Sequence, residues 1–161
     1  MRTLSYITHI MHNPALGAVI QRSFVDGCED GRQTEELVTY PMIFLPIPLA
    51  LHESTAKKIK ATNQPSGLLG LGEKLQSDVY LLHKMVESSR NLSMDSLAMA
   101  LACGLLIFDS EQGVIVSRRP ALNTANIPER VRPMLNTARK LGRLCQGRSL
   151  SDISLHLKVY F

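Results

Sequence analysis

The sequence predicts a mainly α protein of the α+β kind. It is a single domain over 1–161, with a centre of helix plus β-hairpin like that of winged-helix modules. Three observations predict this. Apolar residues recur at three- and four-residue spacing through most of the chain. Prolines and glycines stand where helices would start and stop. The stretch Asn91–Ser117 switches from helical spacing to two short β-favouring runs around a polar turn. The parts are a helical region, 13–90, the winged-helix-like centre, 91–117, and a basic helix with its tail, 126–161.

The first helix is expected over 13–26. Asn13 is the cap, Pro14 takes the first helical position, and Leu16, Val19, Ile20 and Phe24 form one stripe. The acidic stretch Asp26–Gln33 reads as a loop. In Tyr40–His52 three prolines rule out a regular central strand, so the run reads as a proline-broken pair of helical turns. Its apolar density fits core or a subunit interface. After Ser54 a basic helix is expected over Ala56–Ala61, then a turn over Thr62–Gly67. One long helix should lie within Leu68–Arg90, with Leu71, Leu75, Val79, Leu82 and Val86 on one face.

Ser93 is the candidate cap of the next helix, whose apolar positions are Met94, Leu97, Ala98 and Leu101. Gly104 is placed to end it in the left-handed conformation. Leu105–Phe108 and Val114–Val116 are the hairpin strands, joined by Asp109–Gly113. Pro120–Ile127 is an irregular linker. Asn126 and Pro128 signal a further helix start, restarted at Pro133, that runs through Leu144 and Cys145 to Gly147. Ser149 and Asp152 open a capped turn. The alternation of Leu155, Leu157, Val159 and Phe161 suits an edge strand.

The bulk composition narrows the function. The 161 residues are 45% hydrophobic and 20% charged, with no tryptophan, so the core must be largely aliphatic. No apolar run reaches the ~18 residues that span a bilayer, and Met1–Tyr6 lacks a continuous apolar signal core. Three isolated cysteines (Cys28, Cys103, Cys145) read as reduced thiols in a cytoplasmic protein. Cys103, at the end of an apolar helix, should be packed and inert. Charge is uneven. Between Arg118 and Arg148 stand eight basic side chains and one acid, Glu129, whereas 23–36 holds five acids against Arg32. This asymmetry suits an acidic partner, nucleic acid or protein, for Arg118, Arg119, Arg139, Lys140 and Arg143; a solvated basic face is the alternative.

No active site emerges. Gly67 and Gly72 have P-loop spacing, but Glu73 stands where the lysine belongs and would repel phosphate. Gly70-x-Gly72 lacks the third glycine of a dinucleotide fingerprint. His9 and His12 lack further ligands for a metal. His52-Glu53 could form an acid/base pair, but no nucleophile accompanies it. No catalytic, cofactor or metal residues are therefore assigned. As a base reader the 93–103 helix is poorly equipped, presenting Met, Ala, Leu, Ser and Asp and no basic residue. A winged helix used for protein contacts fits better. Phe44, Leu45, Ile47, Leu49, Leu106, Phe108 and Val114 are the candidate interface residues, and backbone contact with DNA falls to the basic C-terminal face.

Four landmarks in order carry a resemblance. They are Asn13-Pro14-Ala15-Leu16, the run Phe44–His52, Leu101-Ala102-Cys103-Gly104-Leu105-Leu106, and Ala138-Arg139-Lys140-Leu141-Gly142-Arg143-Leu144 with a short helix after it. From Asn13 onward the chain resembles the middle component of bacterial three-component ABC-ATPase conflict systems, the group that includes Lamassu-type antiviral defence. The resemblance implies a small non-catalytic adaptor, without a cofactor, encoded with an SMC- or RecN-like ABC ATPase and an effector, commonly a nuclease. It would bridge or regulate these against phage or plasmid. A free-standing winged-helix DNA-binding regulator is the alternative. In one departure, the family tail closes with a Leu-Gly-Val-type turn, whereas this chain has Leu157-Lys158-Val159.

Overall fold

The computed structural model describes residues 13–30, 37–63, 66–118, 120, 122–123 and 125–161. His9, His12, Arg32 and Arg119 lie outside them. The described residues are mainly helical and carry one three-stranded antiparallel sheet. In order they form α1 (Pro14–Glu29), β1 (Val38–Thr39), a 3-10 turn (Tyr40–Phe44), α2 (Pro46–Leu51), α3 (Glu53–Lys60) and α4 (Gly67–Leu75). A second 3-10 turn (Gln76–Asp78), α5 (Val79–Ser88), α6 (Arg90–Ala102), β2 (Leu106–Asp109), β3 (Val114–Ser117), α7 (Arg132–Cys145) and α8 (Leu150–Leu157) follow. No described helix is long and apolar enough to cross a membrane.

The core is built round α1. Asn13 Oδ1 accepts from the amides of Ala15 and Leu16, the expected cap. The helix does not stop at Asp26 but runs to Glu29. Its last turn is held from outside: Asp26 takes Arg22 Nε at 2.8 Å and the Ser117 hydroxyl at 2.6 Å, and Glu29 Oε1 takes the Ser117 amide at 3.1 Å. Gly27, a helix breaker by propensity, lies instead where a Cβ would come within 2.0 Å of the Arg139 carbonyl oxygen of α7. Gly142 mirrors it on α7, its absent Cβ 2.1 Å from the Phe24 carbonyl oxygen. Helix packing thus selects two glycines that local propensity disfavours.

On the other side of α1 lies α6. It begins at Arg90, not at Ser93, and its buried face is Ser93, Ser96, Leu97 and Ala100. Met94 and Ala98, two positions of the expected stripe, are exposed. Small side chains are needed here because a Cβ on Gly17 of α1 would lie 2.0 Å from Ser96 Oγ. The C-terminus of α6 behaves as the sequence predicts. Gly104 takes φ +67° and the Leu105 amide reaches back to the Ala100 carbonyl at 2.8 Å, a Schellman stop. The hairpin then follows, with Leu106 opposite Ser117 and Asp109 opposite Val114, and β1 joins β3 to give the order β1-β3-β2.

Four expectations give way. The basic helix starts at Glu53 rather than after Ser54, and His52 caps it, its Nδ1 facing the Thr55 amide at 3.5 Å. The long helix of Leu68–Arg90 breaks at Gln76–Asp78, where Ser77 and Asp78 turn to the Lys58 ammonium of α3. Asn126 and Pro128 start no helix but a turn, closed by the Val131 amide on the Pro128 carbonyl, and α7 starts at Arg132. The tail is a helix, not an edge strand. A capping box between Ser149 and Asp152 nucleates it, Ile153 and Leu157 are buried four residues apart, and Leu155 is 71% exposed.

Lys158 ends α8 with φ 51° and ψ 38°, the one non-glycine residue described with positive φ. Glycine is the residue that takes this conformation without strain. A side chain there costs about 1 kcal/mol in backbone strain, so Lys158→Gly should raise unfolding stability by up to about that amount in urea titration.

Candidate functional site

Six of the seven candidate interface side chains are core. Phe44, Leu45, Ile47 and Leu49 are buried because the proline-broken run folds inward beside α1 and α7, and Leu106 and Val114 are buried within the hairpin. Phe108 alone keeps substantial exposure, at 42%.

The basic positions are also partly occupied. Arg139 donates from Nε and Nη2 to the two carboxylate oxygens of Asp30, at 2.8 and 2.7 Å, and Arg143 Nε donates to Asp30 Oδ2 at 2.8 Å. Lys140 donates to the Lys60 carbonyl. These groups fasten α7 to the end of α1 and to α3 rather than facing outward unpaired; Arg118 is exposed. The Arg139 hydrogen bond, with help from Arg143, holds the Asp30 carboxyl below its ordinary pKa despite some desolvation. A depressed carboxylate stabilises the fold above its unfolded pKa, and that contribution disappears as pH falls through the folded value. Asp30→Asn should therefore cost about 1 kcal/mol at neutral pH, allowing for solvent screening of a half-exposed network. Urea titrations should show the gap to wild type closing in acid, below the ordinary carboxylate range.

The other candidates resolve into structural roles. Glu53 pairs with Lys57 at 2.6 Å, whose hydrogen bond lowers its pKa, while His52 caps α3. Cys103 is exposed, not packed, because the Schellman turn carries it outward; Cys28 and Cys145 are the buried thiols. Burial pushes the Cys145 thiol up to about 12. The glycine cluster opens and continues α4, whose first residue is Gly67, and Gly72 lets the His156 carbonyl of α8 approach to 2.5 Å from its missing Cβ. Among the described residues no group of His, Cys, Asp and Glu could hold a metal ion.

What sequence reading missed is an aromatic cleft of about 280 Å³ between the first 3-10 turn, α5 and the tail. Tyr40, Phe44, His83, Arg90, Tyr160 and Phe161 line it. Tyr40 stands edge-on to Phe44 at 5.6 Å and tilts against Phe108 at 6.1 Å, and His83 meets Tyr160 at 5.9 Å. The Arg90 guanidinium lies over the Phe44 ring at 5.4 Å. His83 Nδ1 is buried without a hydrogen-bond partner among the described residues. Tyr160, in the cleft wall, is 79% exposed, and on α5 Tyr80 is 73% exposed and Leu81 also faces solvent. One signal was available: Tyr80 and Leu81 fall off the Leu75–Val86 stripe, so two large apolar side chains had to point away from the core.

A family model for ABC-three component (ABC-3C) system Middle Component 3 matches residues 1–161. No curated protein and no solved structure shows significant similarity to the chain.

Proposed function

The chain belongs to the Middle Component 3 family of ABC-three component systems, and from that membership we propose that it is a non-catalytic adaptor. It would join an SMC- or RecN-like ABC ATPase to an effector, commonly a nuclease, in a cytoplasmic Lamassu-type defence against phage or plasmid. The observation that carries the reading is the aromatic cleft with its exposed rim. Large apolar side chains gathered at one surface mark a protein contact, and tyrosine and arginine are the residue types that anchor such contacts. The hairpin, through Phe108 beside Tyr40, continues that surface.

A free-standing DNA regulator has less support. Phosphate contact relies on available cations, and Arg139 and Arg143 already hold Asp30. The experiment is co-purification of the tagged chain with the products of its neighbouring genes. Tyr160→Ser combined with Phe161→Ser should lose one partner at least tenfold, a modest loss for two aromatic anchors, while unfolding stability stays near wild type. Retention of every partner by that variant would remove the cleft from the proposal. A lone chain that retains DNA would favour the regulator.

A further inference from the structure

We propose that two copies of this chain pair antiparallel through β2, giving a continuous sheet in the order β1-β3-β2-β2-β3-β1. β2 is the outer strand on its side. The ladder phase shows which groups face out. The Arg118 amide donates to the Leu105 carbonyl at 3.2 Å, while the Ser117 amide turns away to Glu29. Residues 105, 107 and 109 therefore bond toward β3, and the amide and carbonyl groups of Leu106 and Phe108 point to the free edge. Among the described residues none donates to them or accepts from them.

Native edge strands usually carry a lysine, a proline, a bulge or a covering element. β2 has none of the first three: its register is continuous from Leu106 to Asp109. The one acid, Asp109, is folded into the turn, accepting from the Glu111 and Gln112 amides. Ile107 and Phe108 project to opposite faces and are 47% and 42% exposed. Such an edge is a template for another strand.

Charge selects a second copy as that strand. Arg118 packs at the start of β2, since a Cβ on Gly104 would lie 2.7 Å from its Nη1. Glu111 stands at the other end, in the turn. Both are exposed, and neither forms an ion pair with a described residue. An antiparallel pair centred on Ile107 sets Leu106 against Phe108 of the second copy. It also brings Glu111 of each copy to Arg118 of the other, so the match occurs twice by symmetry. A parallel strand would bring like ends together.

Sedimentation velocity of the full chain, from micromolar to sub-millimolar concentration, tests this. A four-residue edge is a small contact, so a concentration-dependent monomer–dimer equilibrium is expected. Ile107→Lys should be monomeric with an unchanged circular dichroism spectrum. Glu111→Arg should weaken the dimer about tenfold over its two symmetric pairs, and adding Arg118→Glu should restore it to within about threefold. Ile107→Cys in a Cys103→Ser background should oxidise to a covalent dimer. A wild type that stays monomeric with no disulfide, a dimer that survives Ile107→Lys, or a double reversal without rescue would each overturn the proposal. No other component of the system is needed, and the two readings share only Phe108, so the Tyr160 and Phe161 variant still tests the adaptor cleft separately.

Discussion

Gly142→Ala should cost about 3 kcal/mol, the upper part of the usual range for overpacking a core, and lower the melting temperature by about 10 °C for a chain of this size. The new methyl would stand 2.1 Å from the Phe24 carbonyl oxygen, with the Cys28 amide nitrogen at 2.8 Å. Both are backbone atoms of a buried helix, so no rotamer change can make room. α1 and α7 would have to separate, and that opens the contact on which the core rests: Phe24, Ala138 and Leu141 are all fully or almost fully buried. Thermal and urea unfolding would read the loss directly. A variant as stable as wild type would show that the two helices do not cross this closely.

Arg22→Met should be comparably damaging, at about 3 kcal/mol, the low end for breaking a buried charge network. The Arg22 side chain is only 3% exposed. Its Nε holds Asp26, Nη1 donates to the Leu105 carbonyl at 2.6 Å, and Nη2 donates to the Pro120 carbonyl at 3.2 Å. One guanidinium thus ties α1 to the start of the hairpin and to the linker beyond it. Methionine keeps the apolar stem but removes one donor from each acceptor: the Leu105 carbonyl keeps the Arg118 amide, Asp26 keeps the Ser117 hydroxyl, and the Pro120 carbonyl loses the guanidinium. Hydrogen exchange should rise first in β2 and β3. Arg22→Lys keeps the charge without the three-way fork and should recover only part of the stability.

The legible parts of the fold were those specified by neighbouring residues. Asn13-Pro14, the three prolines of 41–48 and Gly104 impose their geometry locally, and each acts as read. The errors arise where distant segments decide. Gly27 reads as a breaker until α7 lies against it, and Ser93 reads as a cap until α1 covers it. In the tail, the alternation over 155–161 loses to a capping box that starts a helix at Leu150. The site was less legible for a related reason. Apolar density identifies what will be buried, not which partner buries it, so the dense Phe44–Leu49 run became core. The exposed aromatics came from Tyr80 and Tyr160, single residues set among apolar neighbours from which sequence alone does not separate them. The basic residues of α7 likewise could not be matched by sequence to Asp30, which is 109 residues from Arg139.

The adaptor claim is tested most directly by omission. The ABC ATPase and the effector proposed as its partners are mixed with and without the chain, and the mass of the assembly is measured in solution. The account predicts that both proteins enter one complex when the chain is present and separate when it is left out. An ATPase and effector that associate equally well without it would contradict the account.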